Sequence, residues 1–470
     1  MAKIYNNFNG YLKIENEIYT YNVSENVVTL LPAESNRSKR EEALESIKMH
    51  NTEYSEYLYS EDFSEKIAML RKGDFRFNVL GMDSAIKFVT PIIIKASGNT
   101  QYFFDMLTEK WNKFHAITFC GGNINALCDL RLAVEPSDID ENSKIDGSRK
   151  IKVRPWNDYT RSIDFEVNGE QVRFTFSIKQ SDGTQNRENN STYSLGELDA
   201  FIRFEFEAPQ DFISIENYYI MAKKLVTILT SQNNIYFDDI YISQKNSEQM
   251  YFKTGICKIF DRYENYSLRK SYKVISIFSI FDSIPNILRE IVNGKVDYLL
   301  ELLPEDNRMV NKISIKNVQD LCTALEISYH ADKKRKREKD ELIDELKNNI
   351  KNTIDEFVKM HNEIDVNKET TIVSSFKYLD YTLKQKIYTL CEENSDVVHD
   401  VIVKHSLEKV NVKKIDDFVK LRNNKTHLGI IEWKESASIY LILFAVTYAC
   451  FFKQVGLQNE LIKKVLLPLF

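Results

Sequence analysis

The chain has 470 residues, too many for one ordinary core, so two or three domains are expected. Hydrophobic residues make up 43% and aromatic residues 12%, with only 14 Gly and 8 Pro, which excludes a disordered, collagen-like or proline-rich chain. The net charge is −6, split as −7 over residues 1–260 and +1 over residues 261–470, which excludes a uniformly basic coat for a polyanion and confines any such contact to a local patch in the second half.

The first part reads as strands. Tyr11–Glu15, Ile18–Val23 and Val27–Leu31 are short apolar runs separated by turns. In Arg161–Lys179, Ile163, Phe165 and Val167 alternate with polar residues, Asn168-Gly169 supplies a two-residue turn, and Val172, Phe174, Phe176 and Ile178 resume the alternation, which spells an antiparallel hairpin. Ala200, Ile202, Phe204, Phe206 and Ala208 give a further half-buried strand, with Arg203, Glu205 and Glu207 expected to face water and Pro209 to end it. A helix is expected over Ile215–Ser231, then strands over Asp238–Ser243 and Met250–Phe260. The stretches Asp138–Asp146 and Gln180–Thr192 read as loops. One wet face per strand implies an antiparallel sandwich or curled sheet.

From about Ser267 the apolar period lengthens to that of helices. Val274, Phe278, Phe281, Leu288 and Val292 mark helical packing, with Pro285 bending or dividing it. Ile315, Val318, Cys322 and Leu325 mark a second helix. Ile343, Leu346, Ile350, Ile354, Phe357 and Ile364 line a third, and Ile372, Phe376, Leu379, Leu383, Ile387 and Leu390 a fourth. Ile415, Phe418 and Val419 begin a fifth, and Ala437–Phe452 makes a sixth. The last four, with short polar links, describe an antiparallel helical bundle. Ala437–Phe452 is shorter than the roughly 20 residues a bilayer needs and carries Ser438, Tyr440, Thr447 and Tyr448, so a central bundle helix is expected and no membrane contact. The fold class expected is therefore α+β: a β-rich, sandwich-like antiparallel N-terminal domain over 1–265, connecting helices over 266–312, and a helical domain over 313–470.

The six cysteines, at 120, 128, 257, 322, 391 and 450, have neither CxxC spacing nor a nearby His, so single buried thiols are expected and no metal site or cofactor. No apolar run follows Lys3, so no secretory leader is expected, and the cytoplasm is the expected compartment.

The segment that carries chemistry is Lys420-Leu421-Arg422-Asn423-Asn424-Lys425-Thr426-His427-Leu428-Gly429. Arg422 falls four residues after Phe418 and Asn423 four after Val419, so an apolar stripe turns polar near a helix end. His427 lies four residues beyond Asn423 on the same face, and Gly429 offers a stop. RNA carries its own nucleophile, the 2′-hydroxyl. An imidazole that titrates near neutrality can take that proton or protonate the leaving oxygen, and a guanidinium can hold the phosphate in fork geometry. Asn423 can orient either. Such chemistry calls for no metal and leaves a 2′,3′-cyclic phosphate and a 5′-hydroxyl. A structural arginine and a capping histidine would show the same letters.

Arg422-Asn423-x-x-x-His427, between one helix and a buried second, resembles the RNxxxH signature of HEPN ribonucleases. The layout is similar to that of the ApeA-like HEPN proteins of bacterial antiphage defence, with a β-rich domain before a C-terminal HEPN domain; the N-terminal likeness is one of length, strand content and order. The resemblance implies a helical HEPN fold over about 313–470, catalytic roles for Arg422 and His427, a supporting role for Asn423, and a homodimer in which two motifs face one cleft. It further implies an abortive-infection effector that cuts cellular RNA, tRNA among the candidate classes, with an unidentified phage-derived or small-ligand trigger at the N-terminal domain. The alternative is an inactive HEPN module that binds nucleotide or RNA and dimerises.

Lys425, inside the motif, is the expected phosphate contact. The run Lys333-Lys334-Arg335-Lys336-Arg337 opens the third helix and is a second candidate, against a solvated helix start that Glu338, Asp340 and Glu341 partly neutralise. His399 and His405 read as surface or cap residues, while His330, His361, His115 and His50 have no partner suggested by spacing. Gly121-Gly122 lacks the surroundings of a phosphate loop. Trp156 and its aromatic neighbours are expected in the core rather than stacked on a ligand.

Overall fold

A computed structural model describes residues 7–14, 17–24, 27–32, 56–59, 66–71, 76–80, 83–97, 109–136, 151–180, 198–260, 273–303, 313–331, 341–361, 382–424 and 434–470. N-terminal antiparallel β-sheets are followed by an all-helical region, and the chain divides into two compact units, Met1–Thr230 with Asn234–Ser271, and Ser231–Asn233 with Tyr272–Phe470.

In the first unit, strands β1 (Asn7–Ile14), β2 (Glu17–Ser24), β3 (Val27–Pro32), β6 (Arg76–Leu80) and β7 (Asp83–Val89) form a five-stranded sheet in the order β1-β2-β3-β7-β6. A nine-stranded sheet contains β4 (Glu56–Tyr59), β5 (Ile67–Arg71), β8 (Ile92–Ala96), β9 (Lys113–Cys120), β12 (Arg161–Val167), β13 (Glu170–Gln180), β14 (Leu198–Asp211), β15 (Asp239–Lys245) and β16 (Tyr251–Ile259). Its order is β12-β13-β14-β9-β15-β16-β8-β5-β4. A short pair, β10 (Val134–Pro136) and β11 (Ile151–Val153), stands beside them.

Period-two patterning decides which residues meet. Phe174 faces Phe204 across β13 and β14, and Phe204 faces Ile117 across β14 and β9, so one apolar row crosses the sheet. Helix α2 (Ile215–Thr230; α1 is the single turn Trp156–Tyr159) covers that row, with Tyr218 4.7 Å from Phe206 and 5.6 Å from Phe204 between ring centroids. On β5 and β8 the opposite face is apolar. Ile67, Met69 and Ile93 pack there against Leu12, Tyr19, Tyr21, Val28 and Leu30 of the smaller sheet, a sandwich core as the alternation anticipates.

The Asn168-Gly169 hairpin forms as expected, with φ of 51° and 85° at the two turn residues, the left-handed pair such a turn requires. Pro209 does not end its strand. β14 runs on to Asp211 because the pairing with β9 shifts between Glu205 and Gln210, and that irregularity accommodates the missing N–H. Nor do Arg203 and Glu205 face open water. They form a 3.2 Å ion pair with side chains only 20% and 17% exposed, the guanidinium lying 4.1 Å from the Tyr251 ring centre, because long neighbouring side chains roof this face.

In the second unit, helices α3 (Ile284–Val292), α4 (Asp297–Leu300), α5 (Ile315–Ala331), α6 (Glu341–Met360), α7 (Leu383–Glu393), α8 (Ser395–Lys404), α9 (Val412–Asn424), α10 (Lys434–Gln454) and α11 (Asn459–Leu469) follow one another. Pro285 stands in the first turn of α3, where a missing N–H costs nothing, and the chain kinks just before it at Ile280. α10 is the centre: Leu443, Ala445, Val446, Tyr448, Phe451 and Phe452 are wholly buried, and α5, α7, α8, α9 and α11 all pack against it. Ala437–Gln454 is long and apolar enough to cross a bilayer, and 67% of that stretch is buried in the fold.

Several helices depart from the sequence reading. α8, which follows α7 after a break at Asn394, and α11, which closes the helical unit, are helices the sequence reading did not name. The expected packed face of α6 is partly open, with Leu346 49% and Phe357 52% exposed, so amphipathic pattern alone does not fix burial. Ile364, Ile372, Phe376 and Leu379 lie outside the described residues, as do the two expected loops apart from Gln180, the last residue of β13.

Candidate functional site

The helix that carries the motif, α9, is anchored by Ile415 and Phe418, 0% and 2% exposed. Asp416 ties it down further, receiving Lys384 of α7 at 3.1 Å and Lys420 at 2.7 Å. These two cations hold the Asp416 carboxyl below its ordinary range. Arg422 stands in the last turn, half-buried, where a cation also complements the helix dipole. Asn423 occupies the same turn. His427, Lys425, Lys333, Lys334 and Arg335 lie outside the described residues, as does the expected continuation of the helix to Gly429.

Helix α9, which carries Arg422, packs against α5. Burial pushes the Cys322 thiol up to about 12; the Arg422 guanidinium pulls against that rise and the Glu326 carboxylate adds to it. Cys322, Glu326 and His330 recur every four residues along α5, on one face. Lys386 reaches this stripe from α7 with its side chain 10% exposed, placing Nζ 2.5 Å from Glu326 Oε1 and 3.1 Å from His330 Nε2. Sequence spacing gave His330 no partner because Lys386 is 56 residues away, and only packing of α7 on α5 joins them.

The remaining histidines have local roles. His405 caps α8 and meets the backbone oxygen of Phe470; His361 Nδ1 lies 3.0 Å from the Phe357 carbonyl with its ring stacked on Phe357; His115 Nδ1 accepts from the Lys245 amide at 3.3 Å. His399 is exposed at a cleft of about 540 Å³ that also takes in Cys391, Lys409, Ile442 and Val446. His50 lies outside the described residues. Among the described residues no three His, Cys, Asp or Glu side chains converge as a metal-ligand set.

In the β-sheet unit the Gly122 amide donates to Asp238 at 2.6 Å, so the Gly121-Gly122 turn is closed on a carboxylate of its own chain. Burial raises that carboxyl above its ordinary range. Trp156 is not a core residue: it is 48% exposed and stacks on Phe201 at 5.9 Å, because the turn of α1 lies over the sheet rather than within it. Four cysteines are buried and two half-buried, all free thiols.

Comparison of the chain with protein-family models, with curated proteins and with solved structures finds no match.

Proposed function

We propose that the chain is a HEPN-type endoribonuclease whose helical unit cuts cellular RNA and whose β-rich unit governs when it does so, as an abortive-infection effector against phage. The observation that carries this reading is the position of Arg422. It stands half-buried in the last turn of α9, a helix that packs against α5, just ahead of the motif's remaining residues and of the buried helix α10.

In this reading Arg422 clasps the scissile phosphate, Asn423 orients it or the imidazole, and Lys425 adds a phosphate contact. The 2′-oxygen gives its proton to a base as it bonds to phosphorus. The bond to the 5′-oxygen breaks, and that oxygen is protonated. His427 serves one of these proton transfers, and its copy across a homodimer cleft serves the other. The products are a 2′,3′-cyclic phosphate and a 5′-hydroxyl. Lys333, Lys334 and Arg335 supply further attraction for the polyanion.

A second reading, an inactive HEPN module that binds RNA or nucleotide and dimerises, draws on the packing of α9 against α5, which would suit a structural arginine equally. One experiment separates the two. Wild type, Arg422→Ala and His427→Ala are expressed and assayed for growth arrest and cleavage of total RNA, with and without EDTA. Loss of both activities in each variant, with folding and dimer mass intact and wild-type cleavage undiminished by chelator, supports the nuclease. Equal arrest by all three chains refutes it.

A further inference from the structure

An indole is an apolar ring that gains by burial, yet Trp156 is 48% exposed. Its ring is nonetheless fixed. It stacks on Phe201 of β14 at 5.9 Å with 27° between the ring planes, and Tyr159 crosses it at 5.7 Å. The indole is thus held against the sheet while about half of its surface stays open to solvent.

Strand register sets cations beside that ring. Phe201 projects from the face of the nine-stranded sheet opposite α2, the face that also carries Arg203 and Glu205. On this face Arg203, Thr118 and Tyr241 fall in one row across β14, β9 and β15. Two ammonium groups converge on the Tyr241 ring, Lys179 of β13 at 5.4 Å and Lys253 of β16 at 4.9 Å from its centre. Arg203 is neutralised by Glu205, but Lys179 and Lys253 enter no ion pair among the described residues. Like charges gathered at one ring repel, and a polyanion laid across them removes that penalty. Residues 1–260 carry a net charge of −7, so these cations are a local feature of one sheet face and not part of a general basicity. β14 and β16 stand three strand spacings apart, about 14 Å, so the aromatic platform and the cations make an extended track rather than a closed site for one small molecule.

We propose that this face of the nine-stranded sheet binds single-stranded nucleic acid, with a base stacked on the open side of Trp156 and phosphates lying along Lys179 and Lys253. Stacking on an aromatic platform, with cations tracking the backbone, is how a single strand is held without regard to sequence. A duplex keeps its bases stacked on one another and offers the indole nothing. The site stands apart from the ribonuclease reading: it lies on the β-rich unit and uses none of the motif's residues.

The test uses the full chain carrying Arg422→Ala, which takes the motif's guanidinium out of the signal, and a fluorescein-labelled 2′-O-methyl strand of mixed sequence, which cannot be cut. By anisotropy the single strand is expected to bind at least about tenfold more tightly than the same strand annealed to its complement. Trp156→Ala should weaken the single strand about tenfold, the size of one base–aromatic stack, and Trp156→Tyr should restore most of the loss. Lys179→Met and Lys253→Met should each flatten the slope of log affinity against log salt by about 0.7, with thermal melts confirming that every variant is folded. No binding, equal binding of the duplex, an unchanged affinity in Trp156→Ala, or unchanged salt slopes in both lysine variants overturns the proposal. So does displacement of the strand by ATP at equal concentration, which would mark a mononucleotide site. Cleavage of unmodified RNA by the wild type is scored separately, so loss of either activity leaves the other standing.

Discussion

Removing one partner of the Lys386–Glu326 pair should cost far more than removing the charge beneath it. In Glu326→Ala, the Lys386 ammonium, its side chain 10% exposed, keeps His330 as its one partner among the described residues. Two unit charges near a protein surface attract by about 4 kcal/mol at 4 Å for an effective dielectric of 20. Glu326 is more than a third exposed, so water screens the pair, and the net loss expected is roughly 2 kcal/mol. For a unit of this size that lowers Tm by about 4–8 °C. Lys386→Met keeps the buried stem and leaves no stranded charge, since Glu326 turns to water; its cost should stay below about 1 kcal/mol. Thermal melts followed by far-ultraviolet circular dichroism measure both. Equal losses in the two variants, or no shift in Glu326→Ala, would refute the argument that packing of α7 on α5 has buried this cation.

Gly169→Ala should destabilise the β12–β13 hairpin by about 1 kcal/mol: a Cβ there meets no atom within 4 Å, so the whole cost comes from φ of +85°, and urea unfolding compared with Gln171→Ala reads it. Stability should fall at alkaline pH. Burial raises the thiols of Cys120 to about 11 and of Cys128, Cys322 and Cys391 to about 12, so above the unfolded value near 9 the unfolded chain releases protons that the fold retains. Each thiol then costs on the order of 1 kcal/mol at pH 10, the loss levelling off above pH 12; a flat unfolding free energy from pH 8 to 10.5 would contradict this assignment.

What was legible in the sequence was local. Alternation with period two, the Asn168-Gly169 turn and the change of period near residue 270 announce antiparallel sheets followed by helices, because side-chain direction in a strand or helix follows from backbone geometry alone. Arg422 in a helix's last turn was legible for the same reason: four-residue spacing from Phe418 sets its phase. Burial and partnership were not. Pro209 survives inside β14 because β9 offers a bulged partner, and Arg203 and Glu205 are roofed by side chains from other strands. The open face of α6 carries the same apolar spacing as helices that are buried.

The sequence by itself determined the elements, their order and the motif, since these depend on contacts among residues a few positions apart. Only the tertiary structure decided that Glu326 and Lys386, 60 residues apart, share a hydrogen bond and that His330 joins them. Interactions across such separations depend on which helix faces meet, and no periodicity in a single chain encodes that pairing.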